Sequence, residues 1–365
     1  MLDLNPICVP PREDLALLTK VVREAGEIAK AAYHANDSVA WAKSDSSPVT
    51  DADIAVNDFL LKELRAARPD YGWLSEETKD DHSRHACPRS FVVDPIDGTR
   101  AFIDRTPNFA VSVAVIENGH AVAGAVFNPL MDEFYAASLG GGATLNGAPI
   151  SVKDREAVDG ITMIGYPRKF RRMGFPEMNC RVVNSMAYRM VLVGSAQADA
   201  ALAFTPKSDW DIAAAALIVS EAGGVVTDLR GKAPVFDGPT TSGLGVICAG
   251  PRLHSLLLAR VKPLIAQFET STNKRQEFKH LGTTMSDRTD IQLLHLVIGG
   301  ELLDPNKTTF ANLKEVDFVG AFPNFEEAKA AWKSAAQRTV DNAHMRYFVL
   351  HAHELIDPDK DGIIG

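Results

Sequence analysis

Two stretches near the start of the chain carry the three- and four-residue spacing of apolar side chains that is typical of amphipathic helices. The spacing predicts one helix over residues 13–33 and a second over residues 51–67. Thr50 or Asp51 is the expected cap of the second helix, because short polar side chains bind the free N–H groups at a helix start. The polar stretch between the two helices has no apolar anchor, so we expect a loop there.

In the middle of the chain, apolar residues recur at every second position. Residues 110–150 alternate around Asn118-Gly119, a strong hairpin signal, and therefore predict antiparallel strands. Residues 157–250 then alternate short strands with helices. The last of these helices, over residues 212–222, is expected to end at Gly223-Gly224, since glycine is the commonest residue after a helix C-terminus.

A polar segment separates two parts of the chain with different patterns. Residues 269–290 predict a linker by their composition, between a domain over residues 10–268 and a smaller domain over residues 291–357. The smaller domain carries the pattern of three strands and of one helix over Phe325–Arg338. It is therefore predicted to be a small α/β domain.

Composition and charge narrow the class of protein. The chain has 365 residues, of which 46% are hydrophobic, enough for two globular domains with sizeable cores. The net charge of −9 argues against a general nucleic-acid binder, which would present a basic face. The four cysteines form no C-x-x-C motif, and no signal peptide or membrane-spanning apolar run is recognised. We therefore expect a soluble, cytoplasmic protein that binds neither a membrane nor a nucleic-acid polymer.

The strongest candidate for chemistry follows a short apolar run. Residues 91–93 read as a buried strand that leads into Asp94 and Asp97, and we expect the strand to stop at Pro95, which cannot donate to a sheet. Thr99 adds a hydroxyl directly after the turn. Short oxygen ligands on a rigid base suit a hard divalent cation. On the residues alone, an Asp-rich turn without a metal is the simpler interpretation.

Four motifs in order resemble the inositol monophosphatase family, the lithium-sensitive, magnesium-dependent phosphomonoesterases. They are Ser47-Pro48-Val49-Thr50-Asp51-Ala52-Asp53, Leu74-Ser75-Glu76-Glu77, Asp94-Pro95-Ile96-Asp97-Gly98-Thr99, and Trp210-Asp211-Ile212-Ala213-Ala214 leading to Glu221-Ala222-Gly223-Gly224. The C-terminal part resembles a small uncharacterised bacterial domain, through His295-Leu296-Val297-Ile298-Gly299-Gly300 and Val319-Gly320-Ala321-Phe322-Pro323. The resemblance implies an α/β fold, the layered α/β/α/β/α sandwich of the inositol monophosphatase/fructose-1,6-bisphosphatase type, followed by a small C-terminal α/β domain. It also implies a homodimer.

The same resemblance implies a metal site that holds two or three Mg²⁺ ions. The implied ligands are Glu76, Asp94, the main-chain carbonyl of Ile96, Asp97 and Asp211. The implied catalytic residues are Asp53 and Thr99, which would orient the attacking water and accept its proton, together with Glu76. The implied substrate contacts are Asp97, Gly98, Thr99 and Asp211.

Several of these side chains also fit a role without any chemistry. Asp53 and Asp211 lie where helices begin, so helix capping alone would account for both carboxylates. Glu77 is a weaker candidate ligand, because a second acid in a loop is usually solvated. Lys43 matches a lysine that approaches the active site in the family, and a solvated surface lysine fits that position equally well.

The expected partner is a small phosphorylated metabolite. Differences from the motif of inositol monophosphatases indicate which branch of the family the chain resembles. Inositol monophosphatases hold a substrate hydroxyl with an acid seven residues before the Trp-Asp aspartate, and this position is Phe204 here. The segments 74–77 and 205–208 look more like the 3'(2'),5'-bisphosphate nucleotidase branch, whose substrate is adenosine 3',5'-bisphosphate. Four basic residues lie close together in the sequence and could either bind a second phosphate of the substrate or belong to a solvated loop: Arg168, Lys169, Arg171 and Arg172.

Further substrates and one other class of function stay open. Inositol phosphates and sugar phosphates, fructose 1,6-bisphosphate and histidinol phosphate are alternative substrates of the same fold. The alternative from another class is a non-catalytic module that binds a phosphate ligand or regulates a partner. The complete set of carboxylates argues against that alternative, since a decayed site would be expected to lose ligands.

Overall fold

The structure is a computed structural model, and it divides into two compact units, residues 1–275 and 276–365. The residues that it describes are 9–35, 38–42, 48–238, 242–265, 295–303, 310–312, 315–322, 325–339 and 345–351. Lys43 and the predicted linker over residues 269–290 lie outside the described residues.

The helices and strands of the first unit alternate along the chain much as the pattern predicts. The helices are α1 (Pro11–Ala35), α2 (Asp51–Ala67), α3 (Thr99–Ile103), α4 (Pro167–Arg172), α5 (Met186–Gly194), α6 (Asp209–Glu221) and α7 (Pro251–Val261), with short 3-10 helices at Ser83–Ala86 and Lys262–Leu264. The first strands are β1 (Ala40–Ala42), β2 (Pro48–Thr50), β3 (Gly72–Ser75), β4 (Ser90–Asp97), β5 (Ala110–Glu117), β6 (His120–Asn128), β7 (Glu133–Ser138), β8 (Ala143–Leu145) and β9 (Ala148–Pro149). The later strands are β10 (Thr162–Ile164), β11 (Asn179–Arg181), β12 (Ala200–Ala203), β13 (Lys207–Ser208), β14 (Val225–Thr227), β15 (Ser242–Gly243) and β16 (Val246–Ala249).

The larger sheet has seven strands in the order β3-β4-β5-β6-β7-β8-β9. Strands β3 and β4 are parallel, and the predicted Asn118-Gly119 turn joins β5 and β6 as an antiparallel hairpin. Side chains of β4 alternate between the two faces: Phe91 and Val93 join the core under α1 and α2, while Val92 joins the core that contains α5 and α6. Because both faces of the sheet are covered, residues 91–93 are an unbroken apolar run.

A second sheet of five strands lies on the other side of α5 and α6, in the order β11-β10-β12-β16-β14. One apolar core joins side chains of both sheets to α5 and α6, and another joins the five-stranded sheet to α7. The layers are therefore α1 with α2, the seven-stranded sheet, α5 with α6, the five-stranded sheet, and α7. The predicted α/β/α/β/α sandwich is confirmed.

Two local predictions at strand and helix ends are wrong. Strand β4 does not stop at Pro95 but runs to Asp97, because the pairing with β5 shifts between Asp94 and Asp97 and a bulge accommodates the proline. Asp211 does not open its helix: α6 begins at Asp209 after the cap Ser208, and Asp211 occupies the third helical position. Polar residues crowd this helix start, so the pattern alone could not rank them.

The second unit contains a three-stranded antiparallel sheet in the order β18-β17-β19. Its elements are β17 (His295–Glu301), β18 (Asp317–Phe322), α8 (Phe325–Arg338) and β19 (Met345–His351). Helix α8 packs on the sheet, with Ala328 and Ala335 buried and the Trp332 indole N–H donating to the Tyr347 carbonyl at 2.8 Å. In the part of the chain that the structure describes, no helix is long and apolar enough to cross a bilayer.

Candidate active site

The turn after β4 has a backbone that only glycine adopts readily. Gly98 has φ of 97° and precedes α3. A Cβ at this position would lie 3.0 Å from the Asn108 carbonyl oxygen and 3.0 Å from the Ser185 nitrogen. The bulge in β4 and this turn place Asp94, Asp97 and Thr99 at one end of the sheet.

Three carboxylates meet at this end of the sheet. Oxygen atoms of Asp94, Asp97 and Asp211 all lie within 4.8 Å of one another, with Asp211 contributed by the first turn of α6. Asp94 is 1% exposed, and its Oδ1 has no hydrogen-bond partner. A buried carboxylate oxygen without a hydrogen-bond partner lowers the free energy of unfolding. The cluster therefore destabilises the folded protein when no cation is bound.

Burial and mutual repulsion raise the pKa values of all three carboxyl groups. Burial, followed by the charges of Glu76 and Asp97, raises the pKa of Asp94 well above its usual value. Burial and the charge of Asp211 raise the pKa of Asp97 to about 7. Burial also raises the pKa of Asp211, although Lys207, whose Nζ lies 3.9 Å from Oδ2, opposes this shift. A divalent cation would relieve the repulsion, so the donor set fits a hard metal ion.

Two further predicted ligands lie at the edge of this cluster. Glu76 lines the same pocket, and its charge raises the pKa values of Asp53, Asp94 and Asp211, yet it is not one of the three carboxylates that meet within 4.8 Å. The Ile96 carbonyl oxygen lies 3.2 Å from the Thr99 hydroxyl. The structure therefore brings all five predicted ligands to one region, and their role as ligands stays a prediction.

The predicted water-activating pair is in contact. The Thr99 hydroxyl lies 3.1 Å from Asp53 Oδ1. Asp53 also closes a capping box on α2, since its Oδ2 accepts hydrogen bonds from the Thr50 N–H at 2.8 Å and from the Thr50 hydroxyl at 2.6 Å. Burial outweighs these hydrogen bonds and raises the pKa of Asp53 to about 6. Capping and the proposed chemistry of Asp53 are thus compatible, since each uses a different carboxylate oxygen.

The start of α5 holds Asp97 in place, a contact that the sequence did not reveal. Asp97 accepts hydrogen bonds from the Ser185 hydroxyl at 2.5 Å, from the Met186 N–H at 3.0 Å and from the Ala187 N–H at 2.6 Å. The two N–H groups are free donors of a helix N-terminus, where negative charge is favoured. A serine before a helical pattern signals a cap, but nothing local indicates which carboxylate it meets.

The carboxylates form one end of a pocket of about 340 Å³. Its apolar wall contains Phe170, Leu202 and the predicted pocket residue Phe204, whose ring centroid is 6.0 Å from that of Phe170. Its polar side chains other than the predicted ligands and Thr99 are Arg100, Tyr166, Lys169, Asn184, Arg189, Thr205 and Lys207. Phe204 therefore presents an aromatic ring to the pocket, at the position where the motif of inositol monophosphatases has an acidic residue.

Some candidates lie away from the pocket. The Glu77 N–H donates to the Ser75 hydroxyl at 3.3 Å, and Glu77 does not line the pocket. Of the basic cluster on α4, Lys169 alone is among the described lining residues, and the candidate role of the cluster in binding a second phosphate stays a prediction. Arg189 was missed, because its position in a helix of buried residues resembles a core position.

Comparison with known proteins agrees with this architecture. A model of the inositol monophosphatase family matches residues 11–266, and a model of a domain of unknown function (DUF4170) matches residues 293–352. Together with the family match, the layered sandwich and the acidic pocket indicate a phosphatase of a metal-dependent class, whose members hydrolyse phosphate monoesters. The chain belongs to the inositol monophosphatase family and carries a C-terminal DUF4170 domain.

Individual relatives cover the first unit. The chain is 35% identical over 241 residues to the inositol-1-monophosphatase of Mesorhizobium japonicum, which covers 62% of this chain and 87% of that protein. It is 29% identical over 257 residues to the histidinol-phosphatase of Chlorobaculum parvum, covering 68% and 96% of the two chains. The crystal structure of the extragenic suppressor protein suhB from Bartonella henselae superimposes with a TM-score of 0.61 at 27% identity, over 68% of this chain and 98% of that one.

Proposed function

We propose that this phosphatase is Mg²⁺-dependent and Li⁺-sensitive and that it hydrolyses a phosphomonoester with metal-activated water. The observation that carries the proposal is the cluster of Asp94, Asp97 and Asp211, with a buried Asp94 oxygen that has no partner. Carboxylate oxygens in this number suit Mg²⁺, which Asp94, Asp97, Asp211, Glu76 and the Ile96 carbonyl would hold. Mg²⁺ bound there would lower the pKa of a water molecule and neutralise charge on the phosphate.

The chain's own residues would position the attacking water. Asp53 is the proposed base, and the Thr99 hydroxyl 3.1 Å away is the proposed contact to the water. The backbone N–H groups of Gly98 and Thr99 are proposed to contact the phosphate, because glycine permits a close approach of the main chain. Hydrolysis then needs no covalent nucleophile from the protein.

Adenosine 3',5'-bisphosphate is the substrate that we place first. The aromatic and basic walls of the pocket support it, since Phe204 and Tyr166 offer apolar surface and Lys169, Arg189 and Lys207 offer positive charge. Inositol phosphate and histidinol phosphate are the alternatives, favoured by the names of the Mesorhizobium and Chlorobaculum relatives.

We also propose the domain bounds of the whole chain. Residues 10–268 would be the phosphatase domain, joined through residues 269–290 to a second domain over residues 291–357. The homodimer and the cytoplasmic location stay predictions from the sequence.

Release of inorganic phosphate from a panel of substrates tests the proposal. The panel is adenosine 3',5'-bisphosphate, inositol 1-phosphate, fructose 1,6-bisphosphate and histidinol phosphate, each with Mg²⁺, with EDTA, and with Mg²⁺ plus Li⁺. We expect selective release from the bisphosphate nucleotide, lost with EDTA and reduced by Li⁺. Faster release from inositol 1-phosphate would reject the bisphosphate assignment, and release that persists in EDTA would reject the metal mechanism.

A further inference from the structure

Arg189 is held rigidly at the wall of the catalytic pocket. It lies on α5, one turn after Ser185, and is 7% exposed. Its Nε donates to the Val183 carbonyl, and its Nη2 donates to the Asn184 carbonyl at 3.3 Å. The guanidinium carbon also lies 5.6 Å from the centroid of the Tyr166 ring. These contacts fix the orientation of the side chain before any ligand binds.

The contacts that fix Arg189 leave its charge without a close counter-ion. They are two neutral carbonyl groups and an aromatic ring, and no ion pair with Arg189 is found within the described part of the chain. Its charge lowers the pKa of Asp211, but that carboxylate is shared with Lys207 and with the acidic cluster. A guanidinium that is largely removed from water is costly unless an anion compensates it. Because Arg189 lines the pocket, an anion bound in the pocket can supply that compensation.

The side chains around Arg189 give this part of the pocket a positive charge and an apolar wall. Lys169 lines the same pocket, with its Nζ 5.8 Å from the Tyr166 ring centroid. The apolar residues Leu202 and Phe204 complete the wall. The pocket thus combines an acidic end, which suits a cation-bound phosphate, with cationic side chains that suit a second, metal-free anion.

We propose that Arg189 forms a second anion-binding site, which recognises a phosphate on the leaving part of the substrate and so makes bisphosphorylated compounds the preferred substrate class. This inference rests on the proposed phosphatase function and deepens it. Arg189 would determine specificity without taking part in the attack on the first phosphate. A leaving group with a positive charge, such as histidinol, would be disfavoured by the same guanidinium.

Two matched pairs of substrates test the inference: adenosine 3',5'-bisphosphate against adenosine 3'-phosphate, and inositol 1,4-bisphosphate against inositol 1-phosphate. In the variant Arg189→Met, kcat/KM for the bisphosphates is expected to fall by about 10- to 100-fold, the range for a lost hydrogen bond to a charged group. The value for the monophosphates is expected to stay within about threefold. Arg189→Lys should recover part of the loss, since it keeps the charge.

The control variant is Arg172→Met, an exposed arginine of α4 that does not line the pocket, and it should leave all four values unchanged. Equal losses on both members of a pair would contradict the inference, because they would indicate a structural role. No loss on either member would contradict it as well. If the unmodified protein hydrolyses none of the four compounds, the proposed function itself fails, which is a different result.

A second measurement uses the unmodified protein alone and so does not depend on the folding of a variant. Adenosine 5'-phosphate keeps the second phosphate after hydrolysis at the 3' position, whereas adenosine lacks it. The nucleotide should inhibit at a concentration about tenfold or more below that of adenosine, and it should lose this advantage in Arg189→Met. Equal inhibition by the two compounds, or a preference for histidinol phosphate over the bisphosphates, would overturn the inference.

Discussion

The Ser185 hydroxyl donates a 2.5 Å hydrogen bond to Asp97, 88 positions earlier in the chain. The same hydroxyl oxygen accepts the Tyr188 N–H at 2.9 Å and thereby caps α5. One serine thus starts a helix and orients a carboxylate of the acidic cluster. The position of the proposed metal ligand Asp97 thus depends on another element of the fold, because three donors at the start of α5 bind it.

Replacing Ser185 with alanine is expected to weaken Mg²⁺ binding by about tenfold or more, the usual effect of removing a group that orients a ligand. Loss of the cap should also lower the free energy of unfolding by about 1 kcal/mol. Calorimetric titration of the metal-free protein with Mg²⁺ measures the first effect. Ser195→Ala, at the other end of α5, is the matched control, and equal Mg²⁺ affinity in the two variants would disprove the positioning role.

Replacing Asp94 with asparagine is expected to stabilise the metal-free protein at pH 8. The change removes a buried negative charge that faces Glu76, Asp97 and Asp211. A gain of about 1 kcal/mol would raise the melting temperature by about 2–4 °C. Thermal unfolding in EDTA measures this gain, with the exposed Asp132→Asn as control. A lower melting temperature for Asp94→Asn would show that the carboxylate is not repelled in the folded state.

The stabilisation by Mg²⁺ should increase with pH. Because the pKa of Asp97 is raised from 3.8 to about 7, its protonated form favours folding below pH 4, and this contribution is lost as the pH rises through 7. The pKa of Asp94 is raised for the same reasons, burial and neighbouring carboxylates. Mg²⁺ binds the charged forms, so we expect a larger rise in melting temperature on adding Mg²⁺ at pH 8 than at pH 5.5. A larger rise at pH 5.5 would contradict the assignment of these groups as ligands.

Replacing Thr99 with valine keeps the shape of the side chain and removes the hydroxyl that contacts Asp53. We expect kcat to fall by about 10²- to 10⁴-fold, the usual contribution of general base catalysis, because the water would lose the hydroxyl that links it to the base Asp53. The affinity for Mg²⁺ should change little, because the main-chain carbonyl of Ile96 remains. Steady-state kinetics on the best substrate of the panel measures the loss, and Thr106→Val, whose hydroxyl contacts the Ala101 carbonyl at 3.4 Å, is the control. A kcat equal to that of the control would exclude Thr99 from the attack.

Local signals in the sequence predicted one helix of the candidate site and the turn that holds two of its carboxylates. Thr50 and Asp53 form a capping box, so the predicted bounds of α2, residues 51–67, are the observed ones. Asp94, Asp97 and Thr99 are close in sequence, and one turn fixes their relation in space. The geometry of such a motif can be predicted from the sequence, because contacts within a few residues determine it.

Contacts between distant segments were not predictable from the sequence. Ser185 and Arg189 act on the pocket only because α5 packs with its first turn against the end of β4, and neither residue carries a local sign of that neighbour. The bulge at Pro95 depends in the same way on the pairing of β4 with β5. Lys43 lies outside the described residues, so its predicted role stays a prediction.

The metal site is tested most directly by comparing phosphate release by the unmodified protein and by Asp94→Asn, each with Mg²⁺ and with EDTA. We expect release by the unmodified protein with Mg²⁺ alone, and none by the folded Asp94→Asn variant in either condition. Circular dichroism and the melting temperature establish that the variant is folded, and Asp132→Asn should be fully active. A well-folded Asp94→Asn variant that releases phosphate at the unmodified rate would contradict a metal site formed by Asp94, Asp97 and Asp211.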